Sequence, residues 1–151
     1  ASWTISPTEF NYGPAPAGEN WVAYLWRSVP GFSAFGSYLG SGKSDGSGGR
    51  PLIYTGHRPA FLLIKRSNTS GPWFLLDAER STYNPVRQLL YANEPSGEVT
   101  GGVGTDVDFL SNGFKVWGYD QMINTAGSTY IWASFAENPF GGSNVSPSPA
   151  R

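Results

Sequence analysis

Glycine and proline punctuate this chain. They supply 20 and 12 of its 151 residues and fall in clusters that cut it into short apolar runs. Glycine reaches backbone conformations with positive φ and proline removes a ladder donor, so such clusters mark turns rather than the interiors of regular elements. Between them stand six Trp, eight Tyr and nine Phe, more apolar material than a disordered low-complexity chain carries. Many short strands joined by turns are the outcome these two facts predict, in a length that suits one compact domain.

The same composition removes several chemistries. With no Cys and a single His, a disulfide scaffold, a cysteine nucleophile and a multi-histidine metal site are excluded. A net charge of -1 and a pI near 5.8 argue against an electrostatic grip on nucleic acid or on an anionic membrane. No apolar run approaches the roughly 20 residues that cross a bilayer, and no membrane insertion is expected.

Residues 1–20 read as a short N-terminal strand at Trp3-Thr4-Ile5 and a proline-rich connector through Gly13-Pro14-Ala15-Pro16. Trp21 to Arg27 mixes β-branched and aromatic residues and ends at Pro30-Gly31, which predicts a buried strand, with a second over Phe32 to Tyr38. Ser41 to Pro51 has no side chain to anchor it and reads as a mobile loop. Its Lys43-Ser44 precedes most of its glycines and no helix follows, so it is no phosphate-cradling loop. Phe61 to Arg66 and Trp73 to Asp77 flank a turn cluster at residues 67–72 and predict a hairpin. Asp77 to Leu90 loses the alternation and has room for one helical turn, interrupted at Asn84-Pro85. Glu94 to Thr105 is a further Gly-rich loop. Phe109-Leu110 and Phe114 to Tyr119 surround Ser111-Asn112-Gly113, a hairpin in which Asn-Gly would supply positive φ. Thr129 to Ala136 is the last strand, and residues 141–151 form a polar, flexible tail. The expected architecture is an all-β, antiparallel sandwich over residues 21–140, with short strands and long Gly-rich loops.

Candidate chemistry is sparse. Asp106 and Asp108 have the i, i+2 spacing that places two carboxylates on one strand face, and Asp77 with Glu79 repeats it. Asp77 stands three residues before Arg80, where a local ion pair accounts for it, and the first pair follows a glycine-rich loop where acidic residues are normally solvated. No Asp-x-Asp-x-Asp-Gly loop is present to bind calcium. His57, beside Pro59, reads as a packed or solvated turn histidine, with a pH-sensitive contact as its functional alternative. No catalytic residue, metal or cofactor is therefore assigned. The aromatics are more informative. Alternation sends Phe114 and Val116 to one face and Lys115, Trp117 and Tyr119 to the other. The second face suits either a sugar ring stacked on the two aromatic rings or a neighbouring subunit. Trp73 and Tyr83 fit both readings.

Trp21 to Pro30 lines up without a gap with Tyr130 to Pro139, an offset of 109 residues, as a cut tandem array would. Tyr24-Leu-Trp-Arg-Ser-Val-Pro-Gly-Phe-Ser-Ala-Phe-Gly-Ser-Tyr38, Arg58-Pro-Ala-Phe-Leu-Leu-Ile-Lys-Arg66, Trp73-Phe-Leu-Leu-Asp77 with Arg80, Phe109-Leu-Ser-Asn-Gly-Phe114 and Thr129-Tyr-Ile-Trp-Ala-Ser-Phe-Ala-Glu-Asn-Pro-Phe140 together resemble a β-domain family of bacteriophage tail-fibre and other virion proteins, notably of marine phages and cyanophages. The resemblance runs from about Trp21 to Phe140 and rests on strand and turn patterns without a catalytic signature. It implies a β-sandwich in the virion, assembled with other virion proteins and as a homo-oligomer, a trimer. The role it implies is contact with a host surface glycan or protein receptor through loops such as Ser41 to Pro51, Ser67 to Pro72 and Glu94 to Thr105. A capsid decoration or fibre subunit of purely structural role is the alternative, and a glycan depolymerase the third. The long Gly/Ser stretch at Ser41 to Arg50 departs from the family pattern.

Overall fold

The computed structural model describes residues 3–5, 10–12, 24–43 and 49–140. In chain order the elements are β1 (Trp3–Ile5), β2 (Phe10–Tyr12), β3 (Ser33–Leu39), β4 (Leu52–Tyr54), β5 (Pro59–Arg66), β6 (Phe74–Asp77), β7 (Gln88–Tyr91), β8 (Val99–Thr100), β9 (Val107–Leu110), β10 (Gly113–Val116), α1 (Gln121–Asn124) and β11 (Thr129–Ala136). They form a large sheet in the order β3-β11-β5-β6-β7-β8, a small one in the order β4-β10-β9, and the separate pair β1-β2. Every pairing is antiparallel. The all-β expectation holds.

Alternation places the core. Tyr130 and Trp132 of β11 are buried along with Leu62 and Ile64 of β5 and Phe74 and Leu76 of β6, and the registers bring them onto one face of the large sheet. Phe109, Phe114 and Val116 of the small sheet meet them. Phe114 is the keystone, with edge contacts to Tyr38 at 6.2 Å and to Trp132 at 5.6 Å between ring centroids. Burying one such side chain contributes about 1.5–3 kcal/mol. Gly36 is required opposite Trp132, because a Cβ there would lie 2.8 Å from the indole ring. Two tyrosine hydroxyls tie α1 to this core: Tyr38 donates to the Ile123 carbonyl at 2.7 Å, and Tyr130 donates to the Gln121 carbonyl at 2.6 Å. Burial raises the Tyr38 pKa well above its usual value, with the neighbouring Tyr130 adding to the effect.

Several local expectations need correction. Residues 24–28 form no strand, and Tyr24, Leu25 and Trp26 are exposed rather than buried. The chain reverses through Pro30-Gly31, where Gly31 has φ 73°. Trp26 then stacks over Phe35 and meets Phe135 edge-on instead of pairing along β3. The match of Trp21–Pro30 with Tyr130–Pro139 is thus not a match of conformation at these residues, and Trp21 to Ala23 lie outside the described residues. The room for one helical turn between Asp77 and Leu90 is used by a single turn after β6, closed by the Ser81 N–H on the Asp77 carbonyl at 3.4 Å, and no helix follows it. The Ser81 hydroxyl accepts the Arg87 and Gln88 N–H groups at 3.1 and 3.0 Å, and Gln88 begins β7. The Glu94–Thr105 loop contains β8, which pairs with β7. The hairpin of β9 and β10 forms as expected, but Gly113 pairs opposite Leu110 inside β10 and is not among the positive-φ glycines. Its missing side chain serves close packing instead: a Cβ there would collide with the Ile53 carbonyl of β4. The terminal connector and tail lie largely outside the described residues.

His57 is packed rather than solvated, 1 % exposed. Its Nε2 lies 2.9 Å from the Ser134 hydroxyl, and its Nδ1 has no partner among the described residues. Burial lowers its pKa. The folded chain therefore resists a proton that the unfolded chain takes up near pH 6.5. The stability this represents is fully present above about that pH and is lost as the pH falls below it. Urea midpoints measured from pH 7.5 down to pH 5 will decline, and His57→Gln will flatten that decline. Parallel profiles would contradict the assignment.

Candidate functional site

A cleft forms where the exposed face of the small sheet meets the segment between β6 and β7. β10 presents Lys115 outward, opposite Asp108 of β9 and Leu52 of β4. Beyond β10 the chain is pinned by the Trp117 and Gly118 N–H groups, which both donate to the Asp106 carbonyl at 2.8 and 2.9 Å. From the other side, Val86 donates to the Val107 carbonyl at 2.7 Å, which brings Arg87 beside Asp106. Asn84 reinforces this junction: its amide oxygen accepts from the Phe109 N–H and its amide nitrogen donates to the Phe109 carbonyl, each at 2.9 Å. The Asn84–Pro85 peptide is cis.

Arg87 grips Asp106 with two hydrogen bonds, Nε to Oδ1 at 2.7 Å and Nη2 to Oδ2 at 2.8 Å. The carboxylate is 12 % exposed and the guanidinium side chain 40 %. Hydrogen bonding to Asp106 and its charge raise the Arg87 pKa further. Trp117 donates from Nε1 to Asp108 Oδ2 at 2.5 Å. The Lys115 ammonium lies 3.9 Å from its ring centroid and the Arg50 guanidinium 4.8 Å, both within cation–π range. The resulting open cleft has a volume of about 490 Å³ and is lined by Arg50, Pro85, Arg87, Val103, Asp106, Asp108, Trp117 and Tyr119, within the usual size of small-ligand sites.

Of the residues singled out from the sequence, Trp117 and Tyr119 line the cleft, and Lys115 stands against the Trp117 ring. The Trp117 ring carries cations, so the stacking surface is Tyr119, 50 % exposed. Tyr83, 85 % exposed, lines a smaller adjoining depression of about 270 Å³ that shares Pro85 and Arg87 with the cleft. Trp73 lines neither, and its backbone N–H donates to Asn93 Oδ1 at 2.7 Å. The carboxylates proposed as pairs are engaged structurally: Asp106 by Arg87, Asp108 by Trp117, and Asp77 by Arg80 through an ion pair. Among the described residues no cluster of three or more His, Cys, Asp or Glu could hold a metal ion. Sequence reasoning passed over Arg50 and Arg87. Arg87 is 19 residues from Asp106, and no local pattern announces their pairing.

Residues 2–139 match the family described as a domain of unknown function, DUF7483. The chain belongs to this family. The DUF7483 match takes in both sheets and every residue lining the cleft, so the cleft is part of the domain's body. No curated protein and no solved structure matches the chain.

The pair of Arg87 and Asp106 anchors this DUF7483 cleft. Arg87→Met leaves a mostly covered carboxylate without its partner and will lower the urea midpoint, and adding Asp106→Asn will restore part of the loss. Additive effects of the two substitutions would show that the pair does not couple.

Proposed function

We propose that this chain is an adhesion domain of a bacteriophage virion, a tail-fibre domain that contacts the host cell surface through the cleft at Trp117 and Tyr119. The sequence resemblance to tail-fibre domains supports the virion location. The cleft supports the contact: an exposed aromatic ring stands beside a fixed set of charged donors and acceptors on a rigid sheet, the combination by which proteins hold a sugar. A surface glycan suits it better than a protein receptor, since the opening is small and polar at its rim. Tyr119 supplies the stacking face, Lys115 and Trp117 shape the polar side, and Tyr83 extends the contact across Pro85. Trp73 takes no part. The binding needs no bond-making step, and the carboxylates a depolymerase would use are held by Arg87 and Trp117.

One observation favours the second reading, a fibre or decoration subunit whose partners are other virion proteins and its own copies in a trimer. The outward face of the large sheet is apolar, with Phe35, Phe61 and Phe135 packed edge-on together and Ile131 exposed beside them. Apolar faces of this kind are covered in assemblies. The two readings are compatible, because this face and the cleft lie on different sheets.

Probing an array of host envelope oligosaccharides with the whole chain will show binding, and Tyr119→Ala will weaken it about tenfold, the worth of one stacked ring. Failure to bind either the array or intact envelope polysaccharide would contradict adhesion.

A further inference from the structure

We infer that the cleft selects acidic glycans, whose sugars carry a carboxylate or a sulfate, and that the outer edge of the Arg87 guanidinium grips that group. This inference rests on the adhesion reading and adds the ligand class to it.

The cleft's charges are not symmetrical in what they leave for a ligand. Both oxygens of Asp106 accept from Arg87. Asp108 accepts the Trp117 indole N–H and lies directly across from Lys115. Three of the four carboxylate oxygens are thus taken up by the protein, whereas Arg87 keeps donors beyond those its partner uses. A guanidinium has five N–H donors in a planar fork. Asp106 occupies its side edge, through Nε and one Nη2 hydrogen. The end edge, formed by Nη1 and the second Nη2 hydrogen, retains two parallel donors on a side chain 40 % exposed in the cleft wall. Two parallel N–H bonds match two oxygens of a carboxylate or a sulfate. Because Asp106 already fixes the guanidinium plane, little side-chain freedom remains to be lost when a ligand binds.

Trp117 performs the same service for a second cation. Its π face holds the Lys115 ammonium at 3.9 Å and satisfies charge, but a π face is a poor hydrogen-bond acceptor, so the ammonium keeps its donors for an anion. Arg50 on the same ring adds a third positive charge to the rim. Tyr119 lies beside this group as the ring on which the sugar itself rests. The chain as a whole carries a net charge of -1, so the attraction is confined to the cleft, and a polyanion without a sugar surface to stack gains no long-range pull.

The test uses the whole chain and a matched series of probes: β-1,4-mannan oligomers, the corresponding β-1,4-mannuronan oligomers, sulfated mannan oligomers and single-stranded DNA. Mannan and mannuronan differ in the carboxylate alone. Calorimetric titration is expected to show mannuronan or sulfated mannan bound at least about tenfold more tightly than mannan, and the preferred arm identifies the acidic group. Arg87→Lys keeps the charge but loses the fork and will remove most of the preference. Lys115→Gln leaves the pair of Arg87 and Asp106 intact and will reduce it. Tyr119→Ala will weaken neutral and acidic oligomers alike. Equal affinity for mannan and its acidic forms, an unchanged preference in both cation variants, or DNA bound as tightly as mannuronan would overturn the inference. So would a lack of mannuronan and sulfated mannan binding under conditions where host envelope polysaccharide binds, and in that case adhesion survives. If envelope polysaccharide also fails to bind, the adhesion reading falls first.

Discussion

The two hydrogen bonds from Arg87 to Asp106 hold together everything that gives this molecule a recognisable site. Asp106 precedes β9 of the small sheet, and Arg87 precedes β7 of the large one. The backbone of Asp106 also receives the chain as it leaves β10, through the Trp117 and Gly118 N–H groups. One residue therefore fixes the spacing between the sheets at this edge, the direction of the segment carrying Trp117 and Tyr119, and the plane of a guanidinium. The carboxylate is well covered and its partner is not, which turns a structural pair into a surface feature: the pair is satisfied inward and remains a donor outward.

Features that depend on neighbouring residues were legible in the sequence. The hairpins of β5 with β6 and of β9 with β10 follow from apolar runs around turn clusters. The alternation Phe114, Lys115, Val116 correctly divides core from surface, because strand periodicity is a local property. Features set by distant partners were not legible. Gln88 to Tyr91 has no strand-like pattern of its own, and becomes β7 because Ser81 gathers its first N–H groups and β6 offers an edge. Tyr24 to Trp26 has a convincing strand composition but is turned onto a sheet face by the reversal at Gly31. Gly113 looked like a turn glycine and is a packing glycine, since its constraint comes from Ile53, far away in the chain.

The site followed the same rule. Lys115, Trp117 and Tyr119 could be grouped from one strand's alternation, and they are neighbours. Which ring is bare could not be read that way. Trp117, the larger aromatic, is occupied by Lys115, Arg50 and Asp108, leaving Tyr119 as the barer ring. The residues that give the cleft its chemical character, Arg50 and Arg87, enter from segments with no motif. A β-sandwich commonly works this way: the sheets supply rigidity, and the residues at their edges supply recognition. Here the same sheets also leave an apolar outer face around Phe135, apart from the cleft.

The most direct measurement is an NMR titration of the isotopically labelled chain with host envelope polysaccharide, following the side-chain N–H signals of its six tryptophans and of Arg87. If the cleft is the contact surface, the Trp117 indole and Arg87 Nε–H resonances shift together as ligand is added, while the Trp26 and Trp132 indoles stay in place. Shifts confined to Trp26 and its neighbours on the outer sheet face, with Trp117 and Arg87 unmoved, would contradict it.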